Sequence, residues 1–257
     1  MDLRISTLTL ETFFLVFARI AGFVAVAPLF GHRSINARLR ILIAACISIT
    51  VFSAMDFNMA EYSTIMGYTV LLIKELVIGL SIGFVSSFVM SVLVLAGEFI
   101  DREIGFTMSQ TFDPSSNAMV TITAELYDRI VYLIILITNL HYYILKAIAQ
   151  SFEVVPLGNI NVNYAYIYTQ VISFIGQYFS IGFRIAMPIF LGTIILNVIL
   201  GILTKSSPQM NMFAIGMQLK VIGGLLVMTI VIVYIPSVAN YLVEKMDDMV
   251  TTILGGL

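Results

Sequence analysis

Six apolar runs separated by short polar stretches set the plan of this chain. The first, Leu10 to Leu29, is long enough to cross a bilayer, whose hydrocarbon core of about 30 Å takes roughly 20 helical residues. It closes on Pro28-Leu29-Phe30-Gly31, and the polar stretch after it carries His32, Arg33, Arg38 and Arg40. The second, Ile41 to Met55, is short for a span. The third, Ile65 to Ala96, is too long, because at about 1.5 Å per residue a straight helix of that length far exceeds the core. It therefore breaks or stands partly outside the bilayer. The fourth segment is Ile130 to Leu145, with Asn139-Leu140-His141 near its end. The fifth, Ile167 to Leu203, is again too long and holds Arg184 and Pro188 in its middle, so it is one kinked helix or two segments. The sixth has Lys220 just inside its start and continues through Gly223-Gly224 to Ile235-Pro236. The pattern predicts an all-α integral membrane protein of long, kinked helices and helical hairpins, with six or seven spans.

Composition points the same way. The chain is 60% hydrophobic and 11% charged, whereas a soluble domain is nearer half apolar and a quarter charged. No linker, low-complexity tract or fixed-period repeat divides it, so residues 1–257 read as one membrane domain. A net charge of −2 gives no reason to expect nucleic acid. Asp2, Arg4 and Glu11 do not make the basic start of a cleavable leader. The single cysteine, Cys46, lies inside an apolar run and says nothing about compartment. Trp is absent, so an interfacial belt must come from Tyr and Phe, with Tyr164, Tyr166 and Tyr168 as an anchor.

Four charges interrupt the apolar runs: Arg19, Lys74, Glu75 and Arg184. A central arginine costs about 2.5–3.5 kcal/mol on insertion scales, which calls for a partner or a wet cavity. Lys74 and Glu75 are sequence neighbours, about 100° apart on a helix, and cannot pair with each other. These residues are expected to be buried or to meet groups on other subunits. Gly79, Gly83, Ser87 and Ser91 form a stripe of small residues at i,i+4 spacing, which lets another helix approach closely, within this chain or from a partner.

Between the third and fourth runs lies Gly97 to Arg129. Glu98–Arg102 and Glu125–Arg129 have i,i+4 spacing with the acid first, the favourable order on a helix, and mark two helical shoulders. The loop between them opens Phe106-Thr107-Met108-Ser109-Gln110-Thr111-Phe112-Asp113-Pro114. Asp113-Pro114 and Ser115-Ser116-Asn117 are turn chemistry. An ordinary solvated loop is the plainer reading, but such a loop has little use for Phe106, Met108, Phe112 and Met119. A second turn, Pro208-Gln209-Met210-Asn211, is flanked by Lys205 and Lys220. The loops at 30–40, 97–129 and 204–220 fall on one side of six spans, and the basic first and third place that side in the cytoplasm.

Catalytic chemistry is not visible. His32 and His141 are far apart, Cys46 has no evident partner, and no metal-ligating or phosphate-cradling motif occurs, so no enzyme activity, metal or cofactor is expected. A stand-alone secondary transporter of a small solute is the alternative, although the internal repeat common in such proteins is missing.

Three stretches together resemble one family, the flagellar biosynthetic FliR proteins, export-gate subunits of flagellar type III secretion. They are Arg19-Ile20-Ala21-Gly22-Phe23 through Gly31, Gly97-Glu98-Phe99-Ile100-Asp101 to Asp113-Pro114, and Pro208-Gln209-Met210-Asn211-Met212-Phe213-Ala214-Ile215-Gly216. They are collinear and cover nearly the whole length. Met217-Gln218-Leu219-Lys220 stands where the family often has a Pro before the Lys, and Lys205 where Arg is common. Gly105-Phe106-Thr107-Met108 looks more like the flagellar branch than its injectisome relatives. The resemblance implies a hetero-oligomeric helical gate in the bacterial inner membrane at the flagellar basal body. It would be built with P-type and Q-type subunits, with A-type and B-type export components docking from the cytoplasm. Residues 1–180 or so would resemble the P-type subunit and 181–257 the Q-type hairpin. The loop from Phe106 to Pro114 would be the channel plug, the Pro208–Asn211 turn a cytoplasmic partner contact, and the cargo unfolded flagellar proteins.

Overall fold

The computed structural model describes residues 7–32, 35–57, 62, 64–106, 121–159, 162–206 and 212–257. Among these residues the chain is helical, with no strand: α1 Thr7–Val26, α2 Ala37–Ala54, α3 Ile65–Met90, α4 Val92–Ile104, α5 Ile122–Ile137, α6 His141–Val154, α7 Tyr164–Ser206, α8 Met212–Val231, a 3₁₀ turn Ile232–Tyr234, and α9 Ile235–Leu254. The all-α membrane class expected from the apolar runs is what the chain adopts.

Local chemistry explains where the helices stop. Asn36 caps α2, its side-chain oxygen accepting the Arg38 amide at 3.2 Å. Gly105 ends α4 with φ of 97°, the left-handed conformation that costs glycine nothing. The amides of Gly105 and Phe106 both turn back onto the Asp101 carbonyl, at 3.0 and 2.9 Å.

The over-long runs resolve in different ways. Ile65 to Ala96 is interrupted at Ser91, and helix resumes at once to Ile104. Ile167 to Leu203 is one helix of 43 residues, α7, with Pro188 inside it. The expectation of a single segment from Ile130 to Leu145 is corrected: helix ends at Ile137 and restarts at His141. The cause is Asn139 at φ 60°, a conformation Asn tolerates better than most residues. Five stretches of the described residues are long and apolar enough to cross a membrane, and α5 with α6 makes a sixth if the two count together. That agrees with six spans rather than seven.

The chain divides into two compact units interleaved in sequence. One comprises residues 1–89, 139–174 and 243–257, the other 90–138 and 175–242. In the first, α1 is well enclosed, with Leu15, Val16, Ile20 and Phe23 buried. It meets α3 at van der Waals limit. A Cβ on Gly79 would stand 1.8 Å from the Arg19 carbonyl oxygen, and one on Gly22 would stand 2.5 Å from that of Leu76. Ser87 donates to the Val26 carbonyl further along the same seam. The small-residue stripe is therefore used within the chain. In the second unit, α4 packs on α5 through Leu93, Ala96, Ile100 and Ile104 against Ala124, Tyr127 and Val131, the i,i+3/i+4 spacing of amphipathic helices.

Candidate functional site

The two helices flanking the Phe106 loop are tied together at its base. Gly97 on α4 lets α5 come so near that a Cβ there would lie 2.4 Å from the Ala124 Cα. One turn on, Asp101 is buried, and both its carboxylate oxygens lie 3.3 Å from the Thr123 amide. The Thr123 hydroxyl donates to the same carboxylate. Thr123 sits in the first turn of α5, whose own N-cap residue, Thr121, provides no side-chain cap. Asp101 supplies that cap from the neighbouring helix, placing a negative charge where free amides and the helix dipole favour it. Its carbonyl meanwhile holds Gly105 and Phe106 on the other side of the loop. One residue thus fastens both ends of the chain from 106 to 121.

Glu103 makes a second attachment. Its Oε1 accepts the Thr193 hydroxyl of α7 at 3.1 Å and lies 3.6 Å from Lys220 Nζ of α8. The last turn of α4 is in this way fixed to three other helices. The shoulder pairs are more peripheral: Glu98, half-buried, and Arg102, exposed, stand 3.8 Å apart, and Glu125–Arg129 lies at the surface.

Phe106 is half-buried at the start of the loop. The rest of the candidate plug, Thr107, Met108, Ser109, Gln110, Thr111, Phe112, Asp113 and Pro114, lies outside the described residues, as do Pro208, Gln209, Met210 and Asn211.

In the other unit two of the intramembrane charges, Arg19 and Glu75, form a buried cluster. Arg19 Nε donates to Glu75 Oε2 at 2.6 Å, and neither side chain is exposed. Arg19 Nη1 reaches the carbonyls of Ser151 and Val155, each at 2.9 Å, and the guanidinium lies 4.3 Å from the centre of the Phe152 ring. Glu75 Oε1 in turn accepts the Gly158 amide at 3.0 Å, and Gly158 holds a φ of 77°. The cluster joins α1, α3 and the turn after α6. Of the two expectations for these charges, burial or a partner on another subunit, Arg19 and Glu75 meet the first, paired with each other within this chain. Lys74 is half-buried and Arg184 exposed, and neither has a hydrogen bond or ion pair among the described residues. Near the start of α1, Glu11 accepts the Tyr62 hydroxyl and pushes its ionisation up to about 12.

Sequence reasoning singled out Glu98 and Arg102 but passed over Asp101 and Glu103. A signal for Asp101 was present: it falls on the Leu93–Gly97–Ile100–Ile104 stripe, so a carboxylate there must be buried. Glu103 had no comparable signal, because its partners are 90 and 117 residues away.

Comparison with known proteins then bears on this arrangement. The family described as bacterial export proteins, family 1, matches residues 10–246. The chain is similar to the flagellar biosynthetic protein FliR of Bacillus subtilis, 27% identical over 94% of this chain and 95% of that protein. It is 29% identical to the FliR of Aquifex aeolicus over 89% of this chain and 88% of the other. With the FliR of Escherichia coli it shares 24% identity over 96% and 94%.

Proposed function

The chain belongs to family 1 of the bacterial export proteins, and from that premise we propose that it is a subunit of the flagellar type III protein export gate. It forms part of the path by which unfolded flagellar proteins cross the inner membrane. The observation that carries this reading is similarity to flagellar biosynthetic proteins along nearly the whole chain. The chain is a membrane protein and works with other flagellar export components. At a finer level, its neighbours are P-type and Q-type subunits in the membrane and A-type and B-type components on the cytoplasmic side, at the basal body. Residues up to about 180 correspond to the P-type fold and 181–257 to the Q-type hairpin.

Assembly with other chains is supported by α7. Its 43 residues have a contour of about 65 Å at about 1.5 Å each, twice a hydrocarbon core of about 30 Å. Large apolar side chains are exposed along it from Val171 through Phe179, Leu191 and Val198 to Leu203. Lipid covers only part of such a length, and protein neighbours take the rest.

In this reading the loop from Phe106 to Pro114 is the plug, held at its base by Asp101. A clean deletion of the gene is expected to abolish the external filament and secretion of hook protein, with both restored by the gene in trans. Normal filaments in the deletion strain would end the proposal.

A further inference from the structure

We propose that a cavity walled by Leu93, Val131, Pro188 and Val238 binds one acyl chain of a glycerophospholipid, with Arg184 on its phosphate and the Tyr127 hydroxyl on an ester oxygen. The cavity lies within the unit formed by residues 90–138 and 175–242 and has a volume of about 370 Å³. That is within the range of small-ligand sites, roughly 300–1,000 Å³, and more than one side chain from a packed neighbour fills. Its walls are almost wholly apolar, which excludes a free inorganic ion or a sugar as occupant and suits a hydrocarbon chain.

The two polar groups define the other end of the ligand. Tyr127 is 3% exposed, and its hydroxyl is buried without a hydrogen-bond partner among the described residues. A buried hydroxyl is costly to leave unpaired, and an acceptor on the occupant removes that cost. Arg184 lines the same cavity, is exposed, and has no counter-charge among the described residues. A guanidinium in an apolar setting calls for an anion, and its fork of donors matches the oxygens of a phosphate. An amphiphile with a phosphate, an ester and a hydrocarbon chain satisfies all three features at once. This proposal stands apart from the export role, and either holds without the other.

The test uses the full chain purified from membranes, delipidated by detergent exchange and titrated with phosphatidylglycerol, diacylglycerol or inorganic phosphate. Native mass spectrometry counts the molecules retained per chain. One phosphatidylglycerol is expected to be retained, with diacylglycerol, which keeps the esters and acyl chains but lacks the phosphate, about tenfold weaker, the size of one lost charge-assisted contact. Inorganic phosphate is expected not to be retained. Arg184→Gln, at an exposed position and neutral for folding, should weaken phosphatidylglycerol about tenfold by the same arithmetic. Tyr127→Phe should weaken both lipids equally, and Val238→Trp, which fills the cavity, should abolish retention with Arg184 intact. Equal retention of both lipids by wild type and Arg184→Gln overturns the proposal. So does retention of inorganic phosphate as tight as that of lipid, which would make this an anion site only. In cells, a photo-crosslinking residue at Val238 should capture lipid, and capture of a protein neighbour instead would assign the cavity to a partner side chain.

Discussion

The Asp101 carboxylate on α4 accepts both the amide and the hydroxyl of Thr123 on α5, and so caps a helix from outside it. Most caps are local, from a residue adjoining the helix they serve. Here the capping group is 22 residues away in sequence, and the chain between the two residues contains the segment proposed as plug. The cap therefore does two things: it ends a helix and it closes a loop. A plug in the proposed sense would have to open and shut with its ends in place, and a buried carboxylate with three hydrogen bonds would supply that fixed base.

Asp101→Asn keeps the shape but removes the charge, and should weaken the base by about 1.5–3 kcal/mol, the range for hydrogen bonds to charged groups. Thr123→Val removes the hydroxyl alone and should cost less. Both are expected to assemble with partner subunits and to raise the ion conductance of membranes carrying the complete gate, Asp101→Asn more than Thr123→Val. Wild-type tightness in both variants would show that the base of the loop does not influence closure.

Arg19 and Glu75 give a prediction of opposite kind, about folding rather than gating. Removing one member of a buried pair strands the other charge and costs about 3–5 kcal/mol. Arg19→Met and Glu75→Gln should each lower the level of protein in the membrane sharply. The double variant Arg19→Met with Glu75→Leu should recover much of it, because no charge remains to be paired. The check is immunoblotting of membranes together with thermal aggregation in detergent. A double variant no better than either single one would place the value of the pair in its hydrogen bonds to Ser151, Val155 and Gly158 instead.

This cluster also shows how far sequence alone reaches. The apolar runs gave the helices, and Arg19, Glu75 and the glycine stripe were visible as anomalies within them. That Arg19 answers Glu75 was not legible, because 56 residues separate the two and no local rule relates α1 to α3. The same distance rule hid Glu103 with Lys220. Asn139 was noted as part of a polar word, but its left-handed backbone, and hence the break between α5 and α6, depends on tertiary packing. The shoulder pairs were legible because i,i+4 spacing is local. Being at the surface, they are also the least consequential contacts of the region.

Gly79 and Gly176 should respond very differently to alanine. A methyl on Gly79 meets the Arg19 carbonyl oxygen at 1.8 Å, a backbone atom that cannot step aside, whereas nothing lies within 4 Å of one on Gly176. Gly79→Ala is expected to cost at least the ~1–3 kcal/mol typical of overpacking and to separate α1 from α3. Gly176→Ala should be neutral or slightly stabilising through better helix propensity. Limited proteolysis of membranes reads the difference, and equal resistance of the two variants would show that α1 and α3 do not pack this closely.

The loop itself carries the last prediction. Glu98–Arg102 and Glu125–Arg129 lie at the surface and together contribute about 1 kcal/mol at most, since such surface pairs are worth roughly 0.3–0.5 kcal/mol each. They cannot decide the loop's position. Asp101 and Glu103 fix its base, and for the proposed plug we expect closure to rest on its apolar side chains, beginning with the half-buried Phe106. Segments that move in function are drawn from the low-stability end of a structure, so this packing has to be marginal. Replacing Glu98 and Arg102 by alanine should accordingly leave both secretion and membrane tightness unchanged. Replacing Phe106 and Met108 by glycine, or removing residues 107–117, should leave assembly intact and make cells expressing the whole gate leak small ions and grow poorly. Conductance of reconstituted membranes measures this directly. A loop deletion as tight as wild type would mean that another segment closes the channel.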